Sequence, residues 1–281
     1  MSSSPIVDFL PADCFTLEQL THAYNQTRID YLIPMPMNAQ RLGEYIEMYD
    51  ISLPHSVVAV DQGEIIGLGM LGVRENQAWY TRLGVLPNTR RGGVGAGLMN
   101  SLIHAAEQLN RHNHLLEVIK NNTPAHQLFL KCGFREVREL LVLRRPPGMP
   151  AISTAFEVDW FEGDEVARRL AALSIPLAWT NQPESLTHVP AKGGLEMSLP
   201  DGSSGWLIFQ RHKWNLSHIV VHTLSGDPAA MARELLTALY TRFPNIDTYA
   251  ENLASDDPHL PGFWAVGFIE AFRRIEMIRT N

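Results

Sequence analysis

Arg90-Arg91-Gly92-Gly93-Val94-Gly95-Ala96-Gly97 is the stretch that decides how the rest of this chain is read. It follows a strand-like run, Ala78 to Leu86, that stops at Pro87. It leads into a segment where Leu98, Leu102, Ala106 and Leu109 recur at helical spacing. Glycines let consecutive backbone N–H groups turn toward one ligand, and a helix start behind them adds a favourable field for an anion. Taken alone, the loop reads either as a phosphate cradle or as a ligand-free turn. It lacks the Gly-Lys-Ser/Thr ending of a Walker loop, and its glycine spacing is not G-x-G-x-x-G.

Upstream, Thr16-Leu17-Glu18-Gln19 has capping-box spacing and predicts a helix through Tyr24, and Asn38 opens a second helix ending near Tyr49. Ser56 to Val60 and Glu64 to Val73 are strand runs separated by Asp61-Gln62-Gly63. Downstream, Leu115 to Ile119 is a strand, Asn122-Thr123-Pro124 opens a short helix through Lys131, Gly133 stops it, and Phe134 to Leu143 returns as a strand. The expected order is ααβββαβαβ.

The length of 281 residues suggests two domains of about 140 residues each. Hydrophobic residues make up 45% and charged residues 19%, so disorder is expected only at Met1 to Ser4. The net charge of −7 argues against nonspecific nucleic-acid or anionic-membrane partners. Cys14 and Cys132 are the only cysteines, which supports neither a disulfide framework nor a zinc site, and no metal is expected. No leader and no apolar run near about 18 residues is seen, so the expectation is a cytoplasmic protein without a membrane segment.

Pro146-Pro147-Gly148-Met149-Pro150 is the one dense proline–glycine cluster, and the domain boundary is expected there. Beyond it, Gly205 to Gln210, Ser217 to Thr223, Asp247 to Glu251 and Phe268 to Ile278 read as strands, and Pro228 to Phe243 as a helix. Glu117, Pro124, Phe129, Gly133-Phe134, Glu136 and Arg145 match Glu251, Pro258, Phe263, Gly267-Phe268, Glu270 and Arg279 at one constant offset. The chain carries an internal repeat.

Two of these motifs together resemble the GCN5-related N-acetyltransferase (GNAT) family. They are Arg90-x-x-Gly93-x-Gly95 and Asn122-x-x-Ala125-x-x-Leu128-Phe129-x-x-x-Gly133-Phe134. The resemblance covers residues 5 to 145 directly and the remainder through the repeat. It implies an α/β (α+β) fold of two GNAT-like domains, each a mixed, mostly antiparallel central sheet flanked by helices. Residues 1–147 would bind acetyl-CoA, and 151–281 would be a degenerate domain without the pyrophosphate loop. The activity implied is acetyl transfer to a small-molecule or peptide amine, by a monomer or homodimer. A noncatalytic acyl-CoA-binding protein and a transferase of longer acyl groups are the alternatives.

By position, the resemblance places the CoA pyrophosphate on backbone amides of the loop, with Arg90, Arg91, Gly92, Gly93, Val94, Gly95, Ala96 and Gly97 as its residues. Backbone groups of Leu83 and Val85 would hold the thioester carbonyl and pantetheine arm, and Asn122 and Phe129 would line the cofactor. Arg90 and Arg91 remain readable as solvated surface cations. Glu117 matches the glutamate that serves as base in the ribosomal-protein N-terminal acetyltransferase branch, and it reads equally as a strand glutamate facing solvent or pairing with Lys120. Phe129 stands where many members have a tyrosine that protonates the departing thiolate, so that proton would come from water, from Tyr80, or from no specific acid. Cys132 reads as a small packed residue.

At the repeat offset, Arg90, Gly93 and Gly95 become Leu224, Asp227 and Ala229, and Asp227-Pro228 is a helix cap that would repel a phosphate. The second domain is therefore expected not to bind CoA; the resemblance implies for it a structural role, closing one side of the acceptor pocket as in tandem-domain relatives such as mycothiol synthase or N-myristoyltransferase. Trp206, Trp214 and Trp264 read as core or interface residues. Asp30, Tyr31, Tyr45, Tyr49 and Asp50 are the candidates to receive a cationic or aromatic amine. His104 and His126 read as structural.

Overall fold

A computed structural model describes residues 7–151, 156–173 and 176–280, and the Met1–Ser4 expectation lies outside them. Two compact units emerge. One comprises Met1–Val137 with Ile275–Asn281, the other Arg138–Arg274. The division falls at Val137, ahead of the expected Pro146–Pro150 cluster, and the C-terminal residues return to the first unit. The cluster ends a strand; it does not separate the cores.

The first unit contains β1 (Asp8–Pro11), α1 (Leu17–Gln26), α2 (Ala39–Met48), β2 (Val57–Asp61), β3 (Glu64–Arg74), β4 (Gln77–Val85), α3 (Val94–Gln108), β5 (Asn113–Ile119) and α4 (Thr123–Lys131). β6 (Arg135–Arg145) leaves this unit at Arg138. The second unit contains β7 (Asp159–Glu162), α5 (Asp164–Ala171), α6 (Pro183–His188), β8 (Lys192–Ser198), β9 (Ser204–Arg211), β10 (Asn215–Ser225), α7 (Pro228–Arg242), β11 (Asp247–Ala254) and α8 (Leu260–Ala265). β12 (Ile269–Thr280) begins there and ends in the first unit.

Within the first unit the strands run β1-β2-β3-β4-β5, with β12 next to β5; within the second they run β6-β11-β10-β9-β8-β7. Each sheet is mixed and mostly antiparallel, the parallel pairs being β4–β5 and β10–β11. Helices start where local chemistry directs them. Thr16 forms the full capping box with Gln19, Asn38 accepts from Arg41 N at 2.8 Å, and Asp227 accepts from Ala230 N at 2.9 Å.

The repeat is visible as repeated structure. α3 and α7, β5 and β11, and β6 and β12 begin at the same offset that relates the matched residues. Gly133 and Gly267, which end α4 and α8, both take left-handed geometry at φ +87° and +94°, where a Cβ is disfavoured. Each is followed by a phenylalanine packed edge-on against its partner, Phe129 on Phe134 and Phe263 on Phe268.

Each unit has its own core. Leu71, Leu98, Met99, Leu102, Leu116, Phe134 and Met277 belong to the first, and Leu143, Leu195, Leu207, Leu235, Leu239 and Phe263 to the second. β1 fixes the outer face of α3, because the Phe9 ring occupies the space a Cβ on Gly97 would need, 2.2 Å away.

Candidate active site

The site of the first unit grows from an irregularity in β4. Pairing with β3 slips between Leu68 and Met70, and Arg82 at the slip takes φ +55°, a bulge that bends the strand. Parallel pairing with β5 runs only to Tyr80 and Leu116, although β4 continues to Val85 and β5 to Ile119. The two strands therefore part. Leu86 N donates to Ile66 O on the β3 side, so by the alternation of a strand Leu83 and Val85 turn their backbone groups toward the opening.

Two arginines already reach those carbonyls. Arg28 Nη2 donates to Leu83 O at 3.0 Å, and Arg90 Nε donates to Val85 O at 3.1 Å. The end of α1 comes this close because residue 84 is glycine: a Cβ there would meet Thr27 Oγ1 at 2.4 Å and Arg28 Nη1 at 2.8 Å. Arg90 also forms a two-pronged pair with Asp30, at 2.7 and 2.8 Å, and bonds Thr27 O. The hydrogen bond from Arg90 holds the Asp30 carboxyl below its usual pKa. Arg91, Gly92 and Gly93 are exposed.

Gly93 is the N-cap of α3, at φ +83°, and provides no side chain to the helix start. The first intrahelical bond is made by Gly97 N to Gly93 O at 2.9 Å, so the N–H groups of Val94, Gly95 and Ala96 precede it. This is the anion-binding end of a helix without a protein cap. Gly97 itself donates within the helix and makes room for Phe9.

Glu117 lies on β5 beside the opening, and Trp79 Nε1 donates to its Oε2 at 2.7 Å. Trp79 packs against Tyr45 and Tyr49, with ring centroids 6.1 and 5.8 Å away. Tyr45 OH is hydrogen-bonded to Thr81 Oγ1 at 2.7 Å, and burial raises its pKa. Asn122 caps α4 through a long contact with Ala125 N at 3.5 Å, and its amide reaches Tyr31 OH at 3.4 Å. Phe129 is buried in the core against Phe134. Tyr80 OH is engaged with His114 Nδ1, and desolvation pushes its pKa far up, so it holds its proton against that partner. Desolvation also raises the pKa of Cys132, with Arg279 opposing, so it is a poor nucleophile.

The profile of the Acetyltransferase (GNAT) family matches residues 20–134, the segment that contains the loop, the parted strands and α4. The likeness to that family lies in residues 20–134. Similar solved structures extend the likeness over both units. A GCN5-related N-acetyltransferase from Sphaerobacter thermophilus has TM-score 0.72 and 16% identity, covering 98% of this chain and 95% of that one. A tandem GNAT protein from the clavulanic acid biosynthesis pathway has TM-score 0.66 and 15% identity, covering 98% of each. No curated protein matches the sequence. The chain thus has the fold of tandem GNAT proteins, and the segment that matches the family model resembles a family of acetyltransferases.

The second unit has the GNAT pattern with altered chemistry. β10 carries a bulge at His218, φ +49°, and its parallel pairing with β11 ends at Leu216 and Thr248. A cavity of about 750 Å³ opens there, between the ends of β10 and β11 and the starts of α7 and α8. Where Gly93 leaves the first helix uncapped, Asp227 caps α7. Trp206 is in the core, Trp214 is exposed under Lys213, and Trp264 is 40% exposed.

Of the expected amine receptors, both carboxylates are held by arginines: Asp30 by Arg90 and Asp50 by Arg74, each at 2.7 Å. His104 bonds the exposed Gln108, and His126 pairs with Glu136. Arg28 and Arg82 are the additions from the structure. Their only sequence signal is a basic residue four positions after Tyr24 and another within the β4 run. Among the described residues no cluster has the makings of a metal site, and no helix is long and apolar enough to cross a membrane.

Proposed function

We propose that the first unit transfers an acetyl group from acetyl-CoA to a primary amine by direct attack on the thioester, and that the second unit does not bind CoA. The observation that carries this reading is the parting of β4 from β5, which opens a strand edge directly above the uncapped start of α3. An amide-bearing pantetheine arm can pair with that edge at Leu83 and Val85 as an added strand, while its pyrophosphate meets the N–H groups of Val94, Gly95 and Ala96. Asp227 puts a carboxylate where the second unit would need a phosphate.

The amine must lose a proton before it attacks, which costs roughly 4 to 5 kcal/mol at pH 7 for a lysine-type amine. Glu117, beside the opening, is the proposed base. The nitrogen lone pair then forms the bond to the acyl carbon, the C–S bond breaks with the electron pair leaving on sulfur, and the nitrogen, positively charged after attack, gives its second proton to water to leave the neutral amide. Phe129 has no proton to give and Tyr80 is bonded to His114, so water protonates the thiolate. With thiols titrating near about 8.5, that departure is tolerable at neutral pH.

The test is release of free thiol from acetyl-CoA across a panel of amines. At least one acceptor is expected to raise the rate above background; if none does, the transferase reading fails and the noncatalytic acyl-CoA-binding reading replaces it. Glu117→Gln is expected to lower turnover near neutral pH and displace the pH dependence upward, toward conditions where the amine is already neutral. An unaltered profile removes Glu117 from the role of base. Competition between acetyl-CoA and longer acyl-CoAs decides chain preference, with acetyl expected to be bound at least as tightly.

A further inference from the structure

Beside the proposed base, the first unit gathers two guanidinium groups around one tyrosine. Arg28 lies 4.2 Å from the ring centroid of Tyr24 and 5.4 Å from that of Tyr31. Arg82, projected by the β4 bulge, lies 5.3 Å from the Tyr24 ring and 4.1 Å from the Tyr45 ring, and donates to Tyr24 OH at 3.1 Å. Tyr24 is fully buried and Tyr45 nearly so.

The arrangement is unfavourable for a positive charge. Burial lowers the pKa of Arg28, and the neighbouring charge of Arg82 lowers it further. Among the described residues, the groups acting on the Arg28 charge are three tyrosines and Arg82, with no carboxylate; its hydrogen bonds go to Thr27 Oγ1 and Leu83 O. Aromatic faces offset such a charge only in part. A bound anion would relieve both the desolvation and the mutual repulsion, and the planar guanidinium matches a carboxylate in two-pronged geometry.

Position says which molecule brings that anion. Arg28 bonds Leu83 O, on the part of the opened edge away from the loop, whereas the proposed phosphate seat is the start of α3. Arg90, nearer the loop, is already held by Asp30. Tyr45 links the cluster to the proposed base, since its hydroxyl feels both Arg82 and Glu117.

We propose that Arg28 and Arg82 form a carboxylate subsite of the acceptor pocket, so that the amine accepted is an amino-acid-like molecule with a free carboxylate. This rests on the acetyl-transfer reading above. The arginines hold the carboxylate, and the amine is thereby presented toward Glu117 and the thioester.

The experiment uses the full chain and matched pairs of acceptors: amino acids, their carboxamides, and the corresponding decarboxylated amines. Thiol release is expected to show at least a tenfold higher kcat/KM for the free carboxylates. Arg82→Gln and Arg28→Gln, which keep a hydrogen-bonding side chain but remove the charge, are expected to raise KM for the carboxylate acceptor about tenfold. Arg82→Gln, which keeps the Arg28 bond to the Leu83–Val85 edge, should leave the KM for acetyl-CoA unchanged, with circular dichroism confirming the fold. Amides or plain amines used as well as carboxylates by the unaltered protein would overturn the subsite while leaving acetyl transfer standing. A rise confined to the KM of acetyl-CoA would assign the arginines to the donor's phosphates, which also overturns it. Calorimetric titration of the same pairs with CoA present reads the subsite separately from turnover. Tighter binding of the carboxylate members, lost in Arg82→Gln, supports it, and equal binding refutes it.

Discussion

Gly93 is the residue on which the donor side turns. Its φ of +83° costs an ordinary L-residue about 1–2 kcal/mol, and no atom lies within 4 Å of where its Cβ would be, so a side chain there is disfavoured by the backbone rather than by crowding. Gly93→Val is expected to weaken acetyl-CoA binding about tenfold or more in a calorimetric titration. Asp227→Ala, at the equivalent helix start of the second unit, should leave that affinity unchanged while removing a cap worth about 1 kcal/mol, seen as a lower Tm. Equal losses of affinity in both variants would contradict a single donor site. The loop was legible in the sequence because glycine spacing and cap chemistry are local. Arg28 and Arg82 were not, because their meeting depends on a bulge in β4 and on the close approach allowed by Gly84, neither of which leaves a spacing signature. Asp30 and Asp50 stood out as acidic residues, but the arginines that engage them are far away in sequence.

Elements with one buried face and a clear start or stop were readable to within a few residues, as α1, α3 and α7 show. Those missed have a physical reason. β1 is four exposed residues whose partner strand lies far along the chain. β8 contains Gly193 and Gly194, poor strand formers that are needed because Phe209 and Phe161 cover them; a Cβ on Gly194 would lie 2.2 Å from the Phe161 ring. The β10 bulge adds a pH dependence. His218 at its centre bonds Gln210 Oε1 at 2.9 Å, and burial pushes its pKa down to about 4. An unfolded histidine titrates near about 6.5, so between these values the unfolded chain binds the proton and the folded chain does not. The stability of the second unit is therefore complete above about pH 6.5 and falls as the pH drops toward 4, by about 3 kcal/mol at most. Denaturant titrations at pH 7 and pH 5 should show this loss. His218→Asn, which tolerates the positive φ, should flatten the difference. An unchanged difference would place the acid sensitivity elsewhere.

At the scale of the whole molecule, the decisive fact is that residues 275–281 complete the first unit. Met277 is fully buried in the core with Leu116 and Phe134, β12 is the neighbour of β5, and Arg279 pairs with Glu107 at 2.9 Å while its side chain would lie 3.6 Å from a Cβ placed on Gly133. The repeated Gly-Phe and terminal arginine were readable as a repeat, yet the pattern is silent on which core each final strand enters, since both strands have the same alternation. A polypeptide of residues 1–147 would leave the edge of β5 unpaired and the Met277 space empty, and an exposed edge of that kind invites aggregation. It is expected to be insoluble or to lack a cooperative thermal transition, whereas the full chain melts cooperatively. In the full chain, Met277→Ala should destabilise the first unit by about 2–5 kcal/mol in denaturant titration, the usual range for a fully buried long side chain cut to alanine. Arg279→Ala, removing a partly exposed pair, should cost less. A monomeric 1–147 fragment with a sharp transition close to that of the full chain would show that the N-terminal GNAT unit closes its own sheet, and that β12 is dispensable to it.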